Sequence, residues 1–397
     1  MSERAIECSI LRGGTSRGVF FRSSTLPADR AAIEQILLNV FGSPDIRQIN
    51  GLGGASSQTS KAAIVGPSTR EDADVDYTFA QVSITAPLVD WGGNCGNISS
   101  AVGPYAVDVG LVPATGDRTR VRIHNTNTGQ IIVAQVPTRD GRAVVDGDYA
   151  IPGVPGTGAQ ILLDFTEPAG SVTGHLLPTG QARDTLTLAG GRSLTASIVD
   201  AANPVVFLPA AELGLTGTEL PPEIDANTGA TAVMEEVRAI AAEMLGIVSD
   251  RGIATSTSPG LPKVGVVAPP VEYVTSTGER IAAGDADVAG RLMSMQTAHR
   301  SYMVTGAICT AAAALIAGTV VHEVARAPDD RPDPDTIRIA HPYGVMDAVV
   351  RADDSAQPIH VLGVAVGRTA RHVLDGIVWV PERLLAGAAL QGATASA

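Results

Sequence analysis

For most of its length the chain alternates between short runs rich in β-branched residues and clusters of Gly, Pro, Asn and Asp. Such runs, bounded by turn formers, predict strands. They fall at residues 5–10, 61–66, 77–84, 120–124, 130–137, 142–146 and 160–164. A second series falls at 186–188, 193–200, 205–208, 263–267, 336–340, 346–351, 359–366 and 377–380. Asn125-Thr-Asn-Thr-Gly129 reads as a hairpin loop. Helical periodicity is rarer. Residues 27–41 place Ile33, Ile36, Leu37, Val40 and Phe41 on one face and stop at Gly42; 230–245 do the same with Met234, Val237, Ile240, Met244 and Leu245. Two further predicted helices, 97–109 and 310–321, are apolar all round and rich in small residues, which suits burial at the centre of a curved sheet. Gly103-Pro104 should kink or break the first of these.

Two stretches repeat one another. Lys61-Ala-Ala-Ile-Val-Gly-Pro67 is followed by Gly92-Gly-Asn-Cys-Gly-Asn97 and a small-residue run. Lys263-Val-Gly-Val-Val-Ala-Pro269 is followed by Thr305-Gly-Ala-Ile-Cys-Thr310 and another. Each copy is a lysine opening a strand that ends at proline, then a cysteine at an expected helix start. The repeat predicts two pseudo-symmetric α+β domains: 1–185 holding Lys61 and Cys95, and 186–364 holding Lys263 and Cys309. The linker-like stretch 167–190 marks the boundary, and strands within 365–385 are expected to complete the first domain. Residues 326–334 read as a surface loop, and the tail after residue 385 as frayed.

Length and composition suit this division. The chain has 397 residues, 45% hydrophobic and 17% charged, enough for two globular cores. A net charge of −13 supplies no basic surface for phosphates, so nucleic acid is not an expected partner. Three cysteines make no disulfide framework and point to reduced thiols in a cytoplasm. The charged N-terminal residues do not form a signal-peptide core, and the apolar run 305–321 is short for a membrane span.

The candidate chemistry lies in the repeats. Cys95 sits in a glycine-rich loop before a helix, where unpaired backbone N–H groups bind anions and favour a thiolate. The alternative is a small residue filling a tight turn. Cys309 has more apolar flanks, so a packing role weighs more heavily there, and Cys8 in an alternating strand reads as structural. Lys61 and Lys263 are the only lysines, and both fall in the repeat. A lysine desolvated at the rim of a buried strand becomes a usable base. Arg12-Gly-Gly-Thr-Ser-Arg-Gly18 is a second anion-binding candidate, neither a Walker loop nor a dinucleotide fingerprint. The seven histidines make no close metal-ligand pair, so no metal site is expected. His341 and His299 are candidates for positions near a cleft.

Leu11-Arg-Gly-Gly-Thr-Ser-Arg-Gly-Val-Phe20, Ser60-Lys-Ala-Ala-Ile-Val65, Gly92-Gly-Asn-Cys-Gly-Asn97, Asp200-Ala-Ala-Asn-Pro204, His341-Pro342 and Arg368-Thr-Ala-Arg371 together resemble the PrpF family, in order over nearly the whole chain. That family includes methylitaconate Δ-isomerase, aconitate isomerases and 4-oxalomesaconate tautomerase. The resemblance implies a diaminopimelate epimerase-like fold, each domain a curved sheet or barrel around a central helix, with the active site between them. It implies catalytic roles for Lys61 and Cys95, with Cys309 facing them from the second domain. Substrate carboxylates would be held by Gly13, Gly14, Thr15, Ser16 and Arg17, by Asn94, Gly96 and Asn97, and by Thr310 and His341. Arg17, Ala202 and Tyr343 depart from the family's usual lysine, glycine and serine.

The implied activity is a 1,3-allylic proton shift that moves a double bond in a small anionic unsaturated di- or tricarboxylate, with no cofactor. The candidate assembly is a homodimer. Two alternatives are a two-base epimerase using Cys95 and Cys309, and a non-catalytic accessory to an aconitase-like enzyme.

Overall fold

The computed structural model describes residues 2–353, 355–356 and 359–385; the expected frayed tail lies outside them. The main strands of the first half are β1 (Glu3–Gly13), β2 (Ser16–Arg22), β3 (Lys61–Pro67), β4 (Val75–Val82), β5 (Arg118–Asn125), β6 (Ile131–Arg139) and β7 (Ile161–Thr166). Those of the second are β8 (Ser193–Ala201), β9 (Asn203–Pro209), β10 (Lys263–Ala268), β11 (Val288–Ser294), β12 (Thr336–His341), β13 (Gly344–Asp353) and β14 (His360–Arg368), followed by β15 (Ala370–Pro381).

The two series pair in the same order. β1–β2 is antiparallel, β2–β3 parallel, β3–β4 antiparallel, β4–β5 parallel, and β5–β6 and β6–β7 antiparallel. β8 to β14 repeat that sequence of pairings strand for strand. β7 and β14 pair antiparallel and join the halves into one sheet system. β15 crosses back to lie antiparallel on β1 along its whole length. The repeat read in the motifs is thus a repeat of topology.

Each half encloses one long helix: α2 (Gly96–Asp108) in the first and α4 (Val304–Leu315) in the second. Nearly every residue of both is buried, and their side chains join strands of both halves in one continuous core. Small residues make this enclosure possible. A Cβ on Gly103 would lie 2.7 Å from Val136 Cγ2 and 3.1 Å from the Ala134 Cβ. Two amphipathic helices pack outside: α1 (Arg30–Phe41), capped by Asp29 and ended by Gly42 at φ 68°, and α3 (Thr228–Met244), capped by Asn227.

Three local expectations are corrected. α2 runs through Pro104 as one helix, because the enclosing sheet holds it while Ser100 forgoes its N–H partner. The helix expected at 310–321 begins six residues earlier, at Val304, and ends at Leu315; a separate short helix covers Val320–Val324. Its start was hidden because the residue preceding it, Met303, is no capping side chain. β2 and β11 were not foreseen. β11 carries Arg291 in a fully buried strand, which breaks the apolar pattern. Among the described residues no single helix is long and apolar enough to cross a membrane, and the one bent pair that approaches that length begins with the buried α4.

Candidate active site

The N-termini of α2 and α4 meet where the halves meet. A Cβ on Gly96 would come 2.5 Å from Val304 Cγ1, so glycine alone allows the two helix starts to approach this closely. Side-chain bonds clamp them together. Asn203, at the β8–β9 turn, donates from Nδ2 to the Asn94 carbonyl (3.0 Å) and to Thr305 Oγ1 (3.1 Å), and its Oδ1 accepts from the Asn94 N–H (3.2 Å). Ala202 turns that corner at φ 62°, a conformation glycine would adopt without steric cost. Asp90 accepts from the N–H groups of Gly92 and Gly260, both at 2.8 Å, and so ties the loop before α2 to the loop before β10. Thr15 Oγ1 and Ser301 Oγ add a bond between the halves at 3.0 Å.

A cavity opens between the helix starts. Lys61, Phe79, Gln81, Asp90, Asn94, Cys95, Gly96 and Asn97 line it from the first half, with Ser16 at its edge. Asn203, Leu261, Lys263, Ser294, His299, Met303, Val304 and Thr305 line it from the second. Lys61 and Lys263 enter symmetrically, as the first residue of β3 and of β10, each opposite the strand that pairs parallel to it. Cys95 is the residue immediately before α2, beside the N–H groups of the first turn, which have no partner within a helix.

The environments differ between the halves. Lys61 is buried; its Nζ donates to Gln81 Oε1 and lies 5.1 Å from the Phe79 ring centre. Burial pushes its pKa down, partly opposed by the charge of Cys95, a hydrogen bond to it, and the charge of Asp90. Gln81 is itself fixed by donating to the carbonyls of Ser60 (2.9 Å) and Ser57 (3.2 Å). Lys263 is partly open to the cavity, and its pKa is lowered to about 8, first by burial.

Of the residues singled out in the sequence, Lys61, Cys95, Ser16, Asn94, Gly96 and Asn97 come together on this cavity. Gly13 and Gly14 lie behind it: a Cβ on either would strike Asn97, whose Oδ1 accepts from the Thr15 N–H (3.2 Å). Arg17 is exposed beside Gly54. Thr310 is buried inside α4, bonded to the Tyr302 hydroxyl (2.9 Å) and donating to the Gly306 carbonyl (2.8 Å). His341 is buried against Tyr302 and does not line the cavity.

Cys309 corrects the expectation of a facing thiol. It lies inside α4, fully buried, with its thiol donating to the Val199 carbonyl (3.2 Å), and burial pushes its pKa far up. The residue that precedes α4, as Cys95 precedes α2, is Met303. Cys309→Ala is therefore expected to cost about 1–2 kcal/mol of stability by opening a small void, with turnover within twofold of the parent. Denaturant melts and steady-state rates check this.

Asn203, Gln81, Asp90, Lys263, Ser294 and Met303 enter the cavity without having been singled out as site residues. For Lys263 the signal was present in the repeat. Asn203 belongs to the Asp200-Ala-Ala-Asn-Pro204 motif; the remainder are ordinary polar or apolar residues with no motif of their own. Among the described residues no group of three His, Cys, Asp or Glu side chains could hold a metal ion.

His299 lines the cavity. Its Nδ1 accepts from the Ser301 N–H (3.2 Å), which assigns the proton of the neutral ring to Nε2. Burial, with the positive charges of Lys61, Lys263 and Arg300, lowers its pKa to about 3. His341 is lowered as well, by burial and by Arg291, Arg368 and His299. Both rings are neutral when folded but bind protons when unfolded below pH 6.5. Their contribution to stability is thus complete above 6.5 and lost as pH falls towards 3. His299 alone is expected to cost about 2 kcal/mol between pH 7 and pH 5. Urea unfolding at the two pH values, with His299→Asn for comparison, measures it.

Two similar halves around long central helices, sharing one cavity between the helix starts, define a diaminopimelate epimerase-like fold. A solved hydroxyproline epimerase from Agrobacterium vitis matches it with a TM-score of 0.54, covering 95% of this chain and 93% of that one at 11% identity, a likeness of fold alone. Within that fold the chain belongs to the PrpF family, whose model, described as PrpF protein, matches residues 3–381. It is 47% identical to 3-methylitaconate isomerase of Eubacterium barkeri over 96% of this chain and 98% of that protein. It is 42% identical to (4E)-oxalomesaconate Delta-isomerase of Novosphingobium sp. (strain KA1), over 94% and 97%. A crystal structure of methylitaconate-delta-isomerase matches with a TM-score of 0.78 at 47% identity, covering 98% of both chains.

Proposed function

We propose that this protein is an isomerase that moves a carbon–carbon double bond by a 1,3-allylic proton shift in a small unsaturated di- or tricarboxylate. The observation that carries the reading is the placing of Lys61 and Cys95 on one cavity at the N-terminus of an enclosed helix. The relatives' activities on unsaturated carboxylates support the same class.

The chemistry follows from the groups present. Lys61 in its neutral form takes a proton from the carbon next to the alkene. The electron pair left behind delocalises through the double bond into a carboxylate, and the helix N–H groups stabilise that dienolate. Cys95 delivers its thiol proton to the far carbon, closing the new double bond. The ammonium of Lys61 then returns its proton to the Cys95 thiolate, which shares the cavity with it. One proton has moved and the site is restored. Carboxylates rest on the loop 94–97 and beside Ser16, whose buried Oγ has no hydrogen-bond partner among the described residues. Residues 1–185 with strand β15, and residues 186–364, act as the two jaws.

The two-cysteine epimerase needs a second thiol on the opposite face, and Met303 stands at that station. Incubating the protein with aconitate, methylitaconate and oxalomesaconate in deuterated water and following proton spectra tests the proposal. The expected result is migration of the alkene with deuterium at the new carbon. Exchange at a stereocentre with the alkene in place would replace the proposal with an epimerase. No exchange with any of them would leave a non-catalytic binding role.

A further inference from the structure

The cavity holds two lysines, and the proposed proton transfer uses one. We propose that Lys263 is a substrate-binding residue, an ammonium that pairs with a substrate carboxylate from the second half while Lys61 and Cys95 act on the carbon skeleton. This rests on the isomerase reading and assigns the part of the site that reading leaves without a role.

Four observations support it. Lys263 opens β10 as Lys61 opens β3, so the pseudo-symmetry aims both ammonium groups into the one cavity. Their surroundings then diverge. Lys61 is buried, pinned by Gln81 and placed on the cavity with Cys95, which suits a base that must give up its proton. Lys263 has neither a hydrogen bond nor an ion pair among the described residues, and it is the more exposed of the two to the cavity. Finally, Met303 replaces the cysteine at the matching helix start, so Lys263 has no thiol to exchange a proton with in its own half.

A cation held in a cavity without a partner is costly unless an anion arrives. Among the described residues the one carboxylate lining the cavity is Asp90, and it accepts from the Gly92 and Gly260 N–H groups instead. A substrate with two or more carboxylates supplies the missing charge: one carboxylate on the loop 94–97 and the α2 terminus, another on Lys263. This makes Lys263 a selector against monocarboxylates.

The charged and titratable groups acting on Lys263 are Asp90, Lys61, Cys95 and Arg238, with His299 also facing it. Asp90 and Cys95 favour its protonated form, while Lys61 and Arg238 oppose it. With its pKa near 8 it is mostly charged at pH 7, and carboxylate affinity should fall as pH rises past 8.

The test is calorimetric binding of methylsuccinate and propane-1,2,3-tricarboxylate, which carry carboxylates but no alkene, to the parent protein, Lys263→Met and Lys263→Arg. The expected result is at least a tenfold rise in Kd for the tricarboxylate with K263M, with most of it recovered by K263R. K263M should melt no lower than the parent, since it removes a desolvated charge. If it does not fold, K61M decides: with Lys263 the remaining lysine, its affinity should still fall as pH rises past 8, and a flat profile overturns the assignment. Should the parent bind and isomerise while K263M binds as tightly, the Lys263 role falls and the isomerase stands. A parent that neither binds these ligands nor moves a double bond sinks both.

Discussion

Lys61→Met is expected to lower turnover on any accepted polycarboxylate by about a hundredfold or more, the usual scale for losing a positioned base. Methionine keeps the length and packing of the side chain, so the cavity wall and the contact with Phe79 persist while the amine is lost. Gln81 is still held by the Ser57 and Ser60 carbonyls, and the fold should be intact. The parent enzyme's kcat/KM should rise with pH as the Lys61 ammonium loses its proton, and that limb should lie below the ordinary lysine value of 10.5. It should vanish from the residual activity of the variant.

The same burial sets the sign of the effect on stability. Because the folded state binds this proton less tightly than the unfolded chain, stability rises with pH between the lowered value and 10.5, and the cost is present at neutral pH. K61M should therefore melt at or above the parent at pH 7 while losing activity. A variant with near-parental turnover would remove Lys61 from the mechanism.

The fold was legible where local pattern and tertiary role agree. The strand–proline motifs opened by Lys61 and Lys263 repeat because β3 and β10 occupy the same place in two copies of one pairing order. Enclosed helices betray themselves by having no polar face, as α2 and α4 do. Legibility failed where burial and polarity part company. Arg291 interrupts the apolar run of β11, yet its guanidinium is buried, donating to the carbonyls of Glu219, Gly290 and Ala340 and lying 5.4 Å from the Tyr273 ring. Cys309 misled for a related reason. Small apolar residues flank it on both sides, so no capping signal separated the loop from the helix, and the start of α4 was placed six residues late.

The site was half legible. Cys95 and Lys61 carry signals of their own, a glycine-rich helix start and a scarce residue type. Asn203 lies in the Asp200-Ala-Ala-Asn-Pro204 motif, but its role, bridging Asn94 and Thr305, becomes visible only when residues about a hundred positions apart on either side meet at one corner. Ser294 is brought to the cavity by the β11 end, and His299, a cleft candidate in the sequence, reaches it through the following turn, where Met295 and Gln296 both take positive φ.

Cys95 should be the most reactive thiol of the three, and the one whose loss costs activity. It lies on the cavity at the start of α2, within reach of a small reagent and beside unpaired N–H groups that attract anions. Cys8 is half-buried on β1, and burial together with Asp375 pushes its thiol up to about 11. Cys309 is sealed in the core with its thiol on the Val199 carbonyl. Brief treatment with iodoacetamide at pH 7.5, followed by mass spectrometry of the peptides, should label Cys95 first and Cys309 last. An unsaturated tricarboxylate should slow the labelling of Cys95 alone, because the N–H groups beside it are those that would hold a carboxylate. Cys95→Ala should in turn reduce turnover by about a hundredfold, and the loss should exceed that in affinity for propane-1,2,3-tricarboxylate, because the thiol delivers a proton rather than charge to the ligand. If Cys95 labels more slowly than Cys8, or labels equally fast with the ligand present, the helix terminus is not an anion site. If C95A turns over normally, the returning proton comes from another group, and Lys61 itself is the nearest one able to carry it.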